Sequence, residues 1–78
     1  MDGQNFIEAA QQAIATLLPE TKPSDWYTVW QVKVLQNNKA LLSTDVFNGK
    51  YVEVTYNGNK GEMYIDIYGR DSNSAVSI

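Results

Sequence analysis

Two carboxylates in the second half of the chain, Glu53 and Asp66, are the side chains best suited to chemistry. Paired carboxylates can serve as general acid and base, or flank a sugar or phosphate, when a pocket holds them away from water. Neither a lysine-rich phosphate cradle nor a segment able to build such a pocket accompanies them. The favoured interpretation is therefore a pair of ordinary solvated charges, and a carboxylate-dependent enzyme is kept as an alternative hypothesis.

Two absent residue types narrow the possible chemistry further, because the 78 residues include no cysteine and no histidine. This composition removes disulfides, the usual zinc sites and the common nucleophile–histidine arrangements, and it leaves the redox compartment undetermined. The segment from Asn57 to Gly61 holds glycines but lacks the spacing of a phosphate-binding loop and has no helix after it. We therefore expect a non-enzymatic protein with no catalytic residue, no cofactor and no metal.

The charge balance bears on the kind of partner. Six basic and nine acidic residues give a formal charge of -3, spread along the chain. A nucleic-acid-binding domain normally presents a basic face, and a bilayer-spanning helix needs about 20 apolar residues in a row. The segment from Met1 to Asn5 also lacks the positive charge that begins a secretory signal. The sequence thus predicts a cytoplasmic protein that binds neither nucleic acid nor membrane.

The first element that the sequence predicts is an amphipathic helix over residues 4–18. Its apolar residues recur at spacings of three and four, and its polar residues gather on the opposite side. Asp2 can cap the start, and Pro19 should end the helix near Leu18, before a linker over residues 19–25. The apolar stripe consists of Phe6, Ala10, Ala13, Ile14 and Leu17, flanked by Ile7, Ala9 and Leu18.

Residues 26–68 alternate aromatic or β-branched side chains with polar ones, and short polar or Asn-Gly segments interrupt them. This rhythm is typical of antiparallel hairpins. The sequence predicts strands at Tyr27–Leu35, Ala40–Thr44, Tyr51–Tyr56 and Glu62–Tyr68. We predict one α+β domain, in which the N-terminal helix packs on one face of a four-stranded antiparallel β-meander. Residues 69–78 form either a tail or a short fifth edge strand.

Alternation also predicts which side chains lie under the helix. In the second strand either Leu41 or Leu42 must point away from it, and the sequence leaves open which one. Repulsion between like charges favours a register that sets Glu53 beside Tyr64 rather than opposite another carboxylate. We expect Phe6, Ile14 and Leu17 to contact a sheet face made of Trp30, Val32, Val34, Val52, Val54, Tyr56, Met63, Ile65 and Ile67.

The face that the helix leaves uncovered is the candidate functional surface. Tyrosines offer a large contact area at little entropic cost, together with a hydroxyl that an interface can satisfy. Three interpretations stay open: tyrosines that only stabilise the sheet, an interface with a second copy or a foreign protein, and a site for a small ligand or nucleotide. The candidate interface residues are Tyr51, Glu53, Tyr64, Asp66, Tyr68 and Lys33, with Gln31 and Thr55 nearby.

Residues 26–69 also resemble a known group of proteins. The motifs are Leu35-Gln36-Asn37 leading into Lys39-Ala40-Leu41-Leu42-Ser43-Thr44, and Thr55-Tyr56-Asn57-Gly58. They resemble an uncharacterised family of small proteins from phages, prophages and genomes of Gram-positive bacteria, a family without an assigned activity. The resemblance implies an accessory protein that binds a host or phage protein, with a small-ligand or nucleotide-binding module as the alternative.

Overall fold

The computed structural model describes residues 2–69, which form one helix packed on one face of a four-stranded antiparallel sheet. The strands follow one another in the sheet in chain order, as a meander requires. This confirms the predicted α+β fold, whereas the possible fifth strand near residues 74–78 lies outside the described residues. The elements are α1 (Gly3–Leu17), a 3-10 turn (Pro23–Asp25), β1 (Trp26–Val34), β2 (Asn37–Thr44), β3 (Lys50–Asn57) and β4 (Glu62–Gly69).

Helix α1 begins where Asp2 caps it, since Asp2 Oδ1 accepts a hydrogen bond of 2.8 Å from the Asn5 backbone N–H. The fully buried residues of the helix are Phe6, Ala10 and Ile14. The same four-residue spacing leads to Leu18, which packs against the core. Leu17 does not belong to this series and is 54% exposed. The prediction that Leu17 belongs to the core is therefore wrong. Within residues 2–69 there is no helix of the length and apolarity that crossing a membrane would take.

Trp26 ties the connection after the helix to the sheet. It is 1% exposed, and its Nε1–H donates to Thr21 Oγ1 at 2.9 Å inside the core. The Thr21 hydroxyl in turn donates to the Leu18 carbonyl oxygen at 2.8 Å, and Gln11 Nε2 donates to the Trp26 carbonyl at 2.7 Å. Helix end, linker and first strand are therefore held together by one connected set of hydrogen bonds.

A β-bulge at Val29 reverses the alternation of β1. Thr28 pairs with Leu42, whereas Trp30 pairs with the very next residue of β2, Leu41. Residues directly opposite each other in an antiparallel pair point to the same face, and Leu42 is buried on the helix side. Trp30 and Val32 therefore lie on the other face, 42% and 49% exposed. The prediction that they lie beneath the helix, with Val34, is wrong.

The core lies between α1 and the first three strands, on which the helix rests. Val52, Val54 and Ile65 occupy the helix side as predicted, while Ile67 on the outer strand β4 is largely exposed. The bulge moves the polar side chains of β1 after Val29 onto this same side. The buried hydrophobic residues are Phe6, Ala10, Ile14, Trp26, Ala40, Leu42, Val52 and Val54, with Ile7, Leu18, Tyr56, Met63 and Ile65 packed against them.

The first hairpin turns earlier than the sequence predicts. Val34 pairs with Asn37, so the connection consists of Leu35 and Gln36 alone, and Asn38 and Lys39 belong to β2. Leu35 adopts a φ of 57°, in the left-handed region that branched residues rarely enter. Polar composition suggested a loop over residues 36–39, but Asn38 is buried in the strand, where pairing outweighs its usual turn preference.

Candidate functional site

The sheet surface opposite α1, here called the open face, is built from cross-strand rows of side chains. There are three such rows. The two outer rows each end in a tyrosine on β4, and the middle row carries two carboxylates on β3 and β4. The three rows, from β1 to β4, are Tyr27–Ser43–Tyr51–Tyr68, Trp30–Leu41–Glu53–Asp66 and Val32–Lys39–Thr55–Tyr64. Each strand thus contributes one residue to each row. The bulge at Val29 determines which residues of β1 belong to the rows.

Five of the six predicted interface residues meet on the open face, namely Tyr51, Glu53, Tyr64, Asp66 and Tyr68. The sixth, Lys33, does not join them. It pairs with the buried Asn38 and lies on the helix side, because the bulge at Val29 shifts every later residue of β1 to the opposite face. Gln31, opposite Ala40, is displaced in the same way.

Sequence reasoning missed the β1–β2 half of the open face. Tyr27, Trp30 and Val32 supply its large side chains, and each is exposed, with Leu41 partly covered between them. The available signal was weak: from Tyr27 to Trp30 both alternating sets are rich in apolar residues, so the pattern fixes no face there. An exposed apolar area of this kind is uncommon in a monomeric protein and is typical of interaction surfaces.

Glu53 is the electrostatic centre of the open face. Lys39 Nζ stands 3.3 Å from Glu53 Oε2, and the Tyr68 hydroxyl donates to Glu53 Oε1 at 3.4 Å. Asp66 lies directly opposite Glu53, and Tyr68 opposite Tyr51. The predicted register, with Glu53 beside Tyr64, is therefore wrong by two residues. The like-charge pair is tolerated because Lys39 on the neighbouring strand offsets it and because Asp66 is exposed to water.

Two tyrosines of the open face are held in their protonated form. A hydrogen bond from the Tyr64 hydroxyl to Glu62, with smaller effects of burial and the Glu62 charge, raises the pKa of Tyr64. The negative charge of Glu53 is the main cause that raises the pKa of Tyr68, with burial and Asp66 adding to it, while Lys39 lowers it. Both hydroxyls therefore stay protonated across the neutral range, and each donates its hydrogen bond to a carboxylate of the chain itself.

A polar cavity of about 250 Å³ opens at the end of the first row, beside the loop between β2 and β3. The Ser43 hydroxyl at its base donates to the Lys50 carbonyl at 2.9 Å, and Lys50 Nζ lies 5.3 Å from the centre of the Phe47 ring. Neither carboxylate of the middle row reaches this cavity. Its lining consists of Tyr27, Ser43, Thr44, Asp45, Phe47, Asn48, Gly49 and Tyr51.

Residues 2–69 contain no group of three or more His, Cys, Asp or Glu side chains placed to hold an ion. Glu53 and Asp66 form a pair whose nearest charged neighbour is the ammonium of Lys39. The arrangement is suited to charged and hydrogen-bonded contacts across a surface.

Within residues 2–69, fold and site define a small α+β domain in which one helix covers one side of a β-meander and these residues leave the aromatic, acidic side exposed. The chain belongs to the family of unknown function DUF6275, whose model matches residues 4–78. No match was found among curated proteins or among solved structures. The family match includes the helix as well as the sheet, so it extends beyond the resemblance that residues 26–69 carry.

Proposed function

We propose that this protein is non-enzymatic and acts by binding another protein through its open face. The observation that carries the proposal is the bulge at Val29, which puts Trp30 and Val32 on the same face of the sheet as Tyr51, Tyr64 and Tyr68. A regular β1 would turn Trp30 toward the helix. Tryptophan and tyrosine are the residues most enriched among those that dominate binding energy at protein interfaces.

The two halves of the open face suit different parts of an interface. The β1–β2 half, with Trp30, Val32 and Leu41, offers apolar area that a partner can remove from water. The β3–β4 half offers tyrosine hydroxyls and carboxylates, which suit a polar rim. Because Lys39 is already paired with Glu53, the face keeps an excess of negative charge. The complementary partner has an apolar patch flanked by basic side chains.

The same charges favour a foreign protein over a second copy. A two-fold contact centred on the open face would bring residues near the axis against their own counterparts. Glu53 and Asp66 occupy the middle row, so such a dimer would oppose carboxylates to carboxylates. Like charges placed against each other at an interface cost several kcal/mol, on the order of 2 to 5.

The resemblance of residues 26–69 supports a biological setting for this binding role. We propose a small accessory protein, encoded by a phage, a prophage or a Gram-positive genome, that binds a host or phage protein in the cytoplasm. Binding to nucleic acid or to a membrane is not part of the proposal, because the chain has a formal charge of -3 and its open face is acidic.

A small-ligand function is the second candidate, and the cavity beside Ser43 is the observation that favours it. Its volume of about 250 Å³ is below the range of about 300–1,000 Å³ typical of pockets for drug-sized ligands. A nucleotide is therefore a poor fit, and a single side chain or small fragment is a better one. A thermal-shift screen of metabolites tests this candidate, since a bound ligand raises the unfolding temperature.

Affinity capture with paired variants tests the proposed function. Val32→Glu places a charge in the apolar half of the open face, and Gln12→Glu places one on the exposed side of α1. A partner in lysate of the source organism should be retained by the wild type and by Gln12→Glu and lost with Val32→Glu. Purified partner should then bind Val32→Glu at least about ten-fold more weakly by calorimetry, a loss of about 1.4 kcal/mol.

Circular dichroism establishes that both variants are folded, so that a lost partner reports on the face itself. A partner that Val32→Glu retains would contradict the proposal. Light scattering tests the alternative of a homodimer. If the wild type is a dimer and Val32→Glu is a monomer, the partner of the open face is a second copy of the chain.

A further inference from the structure

We propose that the cavity beside Ser43 is a subsite for an arginine side chain. The inference rests on the proposed function and deepens it, since the partner protein supplies the arginine. The cavity lies at the β2–β3 end of the open face and shares Tyr27 and Tyr51 with it. A partner seated on the apolar half of the face would therefore have this cavity within reach of a long side chain.

The first support is the geometry of one cross-strand row. Ser43 pairs with Tyr27 on one side and with Tyr51 on the other. Because neighbouring strands lie about 4.8 Å apart, the two tyrosine Cα atoms are separated by about 10 Å. A planar group packed against two rings needs about 3.5–4 Å on each side, so one such group fits between them. The small Ser43 side chain keeps the base of this slot open.

The second support is the charge of the walls. Among the described residues that line the cavity, Asp45 carries the only formal charge, and it is negative. Three aromatic side chains, those of Tyr27, Phe47 and Tyr51, also line the cavity, and the faces of aromatic rings attract cations. The Phe47 ring already has the Lys50 ammonium 5.3 Å from its centre, which is within the usual range of such contacts.

Among cations, guanidinium suits this cavity best. It is planar and weakly hydrated, stacks on aromatic rings and donates several in-plane hydrogen bonds to a carboxylate such as Asp45. A lysine ammonium is a compact, strongly hydrated charge that gains little from a flat slot. Phosphate-bearing ligands would meet the Asp45 charge in the lining, and the nearby Lys50 ammonium, which is not a lining group, is already engaged over the Phe47 ring.

The test is a titration of the isotope-labelled protein, followed by amide chemical shifts, with N-acetyl-arginine N-methylamide. The matched probe is the citrulline analogue, which has nearly the same shape and no charge. We expect saturable shifts at Tyr27 and residues 43–51 with the arginine probe, and none with the citrulline probe. Asp45→Asn should weaken binding about ten-fold, because it removes a charge-assisted hydrogen bond. Glu8→Gln, which also removes one negative charge but lies on the exposed side of α1 and does not line the cavity, should bind as the wild type does.

Three results would overturn the arginine subsite: equal binding of the citrulline probe, shifts centred on Trp30 and Tyr64, or unchanged binding by Asp45→Asn. Tyr27→Leu is a second check. It removes one aromatic ring at an exposed position, so it should also weaken binding of the arginine probe. If the probe fails while Val32→Glu still loses a captured partner, the subsite is wrong and the proposed function stands. If the probe binds but no captured protein depends on Val32, the proposed function is wrong and the subsite stands.

Discussion

Gly58 is the residue at which the two β-hairpin ends meet. A Cβ atom added there would lie 2.1 Å from the Gln36 carbonyl oxygen, and the Gly58 N–H donates to Asn37 Oδ1 at 3.1 Å. Gly61, three residues later, has the opposite character, with a φ of 67° and open space around it. One glycine is therefore needed for close approach and the other for backbone conformation.

Gly58→Ala should lower the free energy of unfolding by about 1–3 kcal/mol, since the added methyl group meets backbone that cannot move without breaking the turn. Gly61→Asn is the matched control. Asparagine tolerates the left-handed region, so we expect a loss of about 0.5 kcal/mol or less. Urea melts of the two variants compare these values directly, and equal losses would mean that the hairpin ends are not in contact.

Tyr68 should titrate above an ordinary tyrosine because of Glu53. The pKa of Tyr68 is raised in the folded protein, so its contribution to stability is fully present below the unfolded pKa of about 10. The contribution is lost as the pH rises through the folded pKa. Glu53→Gln removes the principal cause and should lower the pKa of Tyr68, measured by tyrosinate absorbance or ring chemical shifts. An unchanged value would contradict the contact between Tyr68 and Glu53.

At the level of elements, α1 buries a stripe with four-residue spacing. Ile14 is fully buried and Leu17 is largely exposed, although both belong to the apolar stripe of the sequence. Ile14→Ala should therefore lower the free energy of unfolding by about 2–4 kcal/mol. Leu17→Ala, its control on the same helix, should cost about 0.5 kcal/mol or less. Chemical denaturation measures both free energies. A larger loss for Leu17→Ala would show that Leu17 contributes to the core, as the sequence predicted.

The bulge in β1 predicts that its two tryptophans differ in their accessibility to solvent. Trp26 is 1% exposed and Trp30 is 42% exposed, whereas regular alternation would bury both on one face. Acrylamide should quench the fluorescence of Trp26→Phe, which keeps Trp30, much more strongly than that of Trp30→Phe, which keeps Trp26. Circular dichroism checks that each variant is folded. Equal protection of the two tryptophans would contradict the bulge at Val29.

Periodicity predicted the elements well and their details less well. The strand order, the buried side of β3 and the helix-facing side of β4 follow from clean alternation between apolar and polar residues. The side chains of β1 after Val29 were assigned to the wrong face, because no glycine or proline marks the bulge and its neighbours are apolar on both faces. The register of β4 was predicted wrongly because it was chosen only to keep Glu53 from lying opposite Glu62. The fold instead places Asp66 opposite Glu53 and brings Lys39 beside Glu53 to offset the like charges.

On the scale of the whole molecule, one helix is too small to cover both sides of a four-stranded sheet. A chain of 78 residues buries a limited core, so a stability of only about 3–5 kcal/mol is expected. Covering the open face with a partner would add to it. A partner at one hundred times its Kd would stabilise the fold by about 2.7 kcal/mol.

Photo-crosslinking tests the binding role of the open face most directly. A benzophenone amino acid is introduced at Val32, on the open face, and separately at Gln12, on the exposed side of α1, and each variant is irradiated in lysate of the source organism. We expect a discrete crosslinked protein from position 32 and none from position 12. A partner crosslinked from position 12 alone would place the binding surface on the helix and contradict the role assigned to the open face.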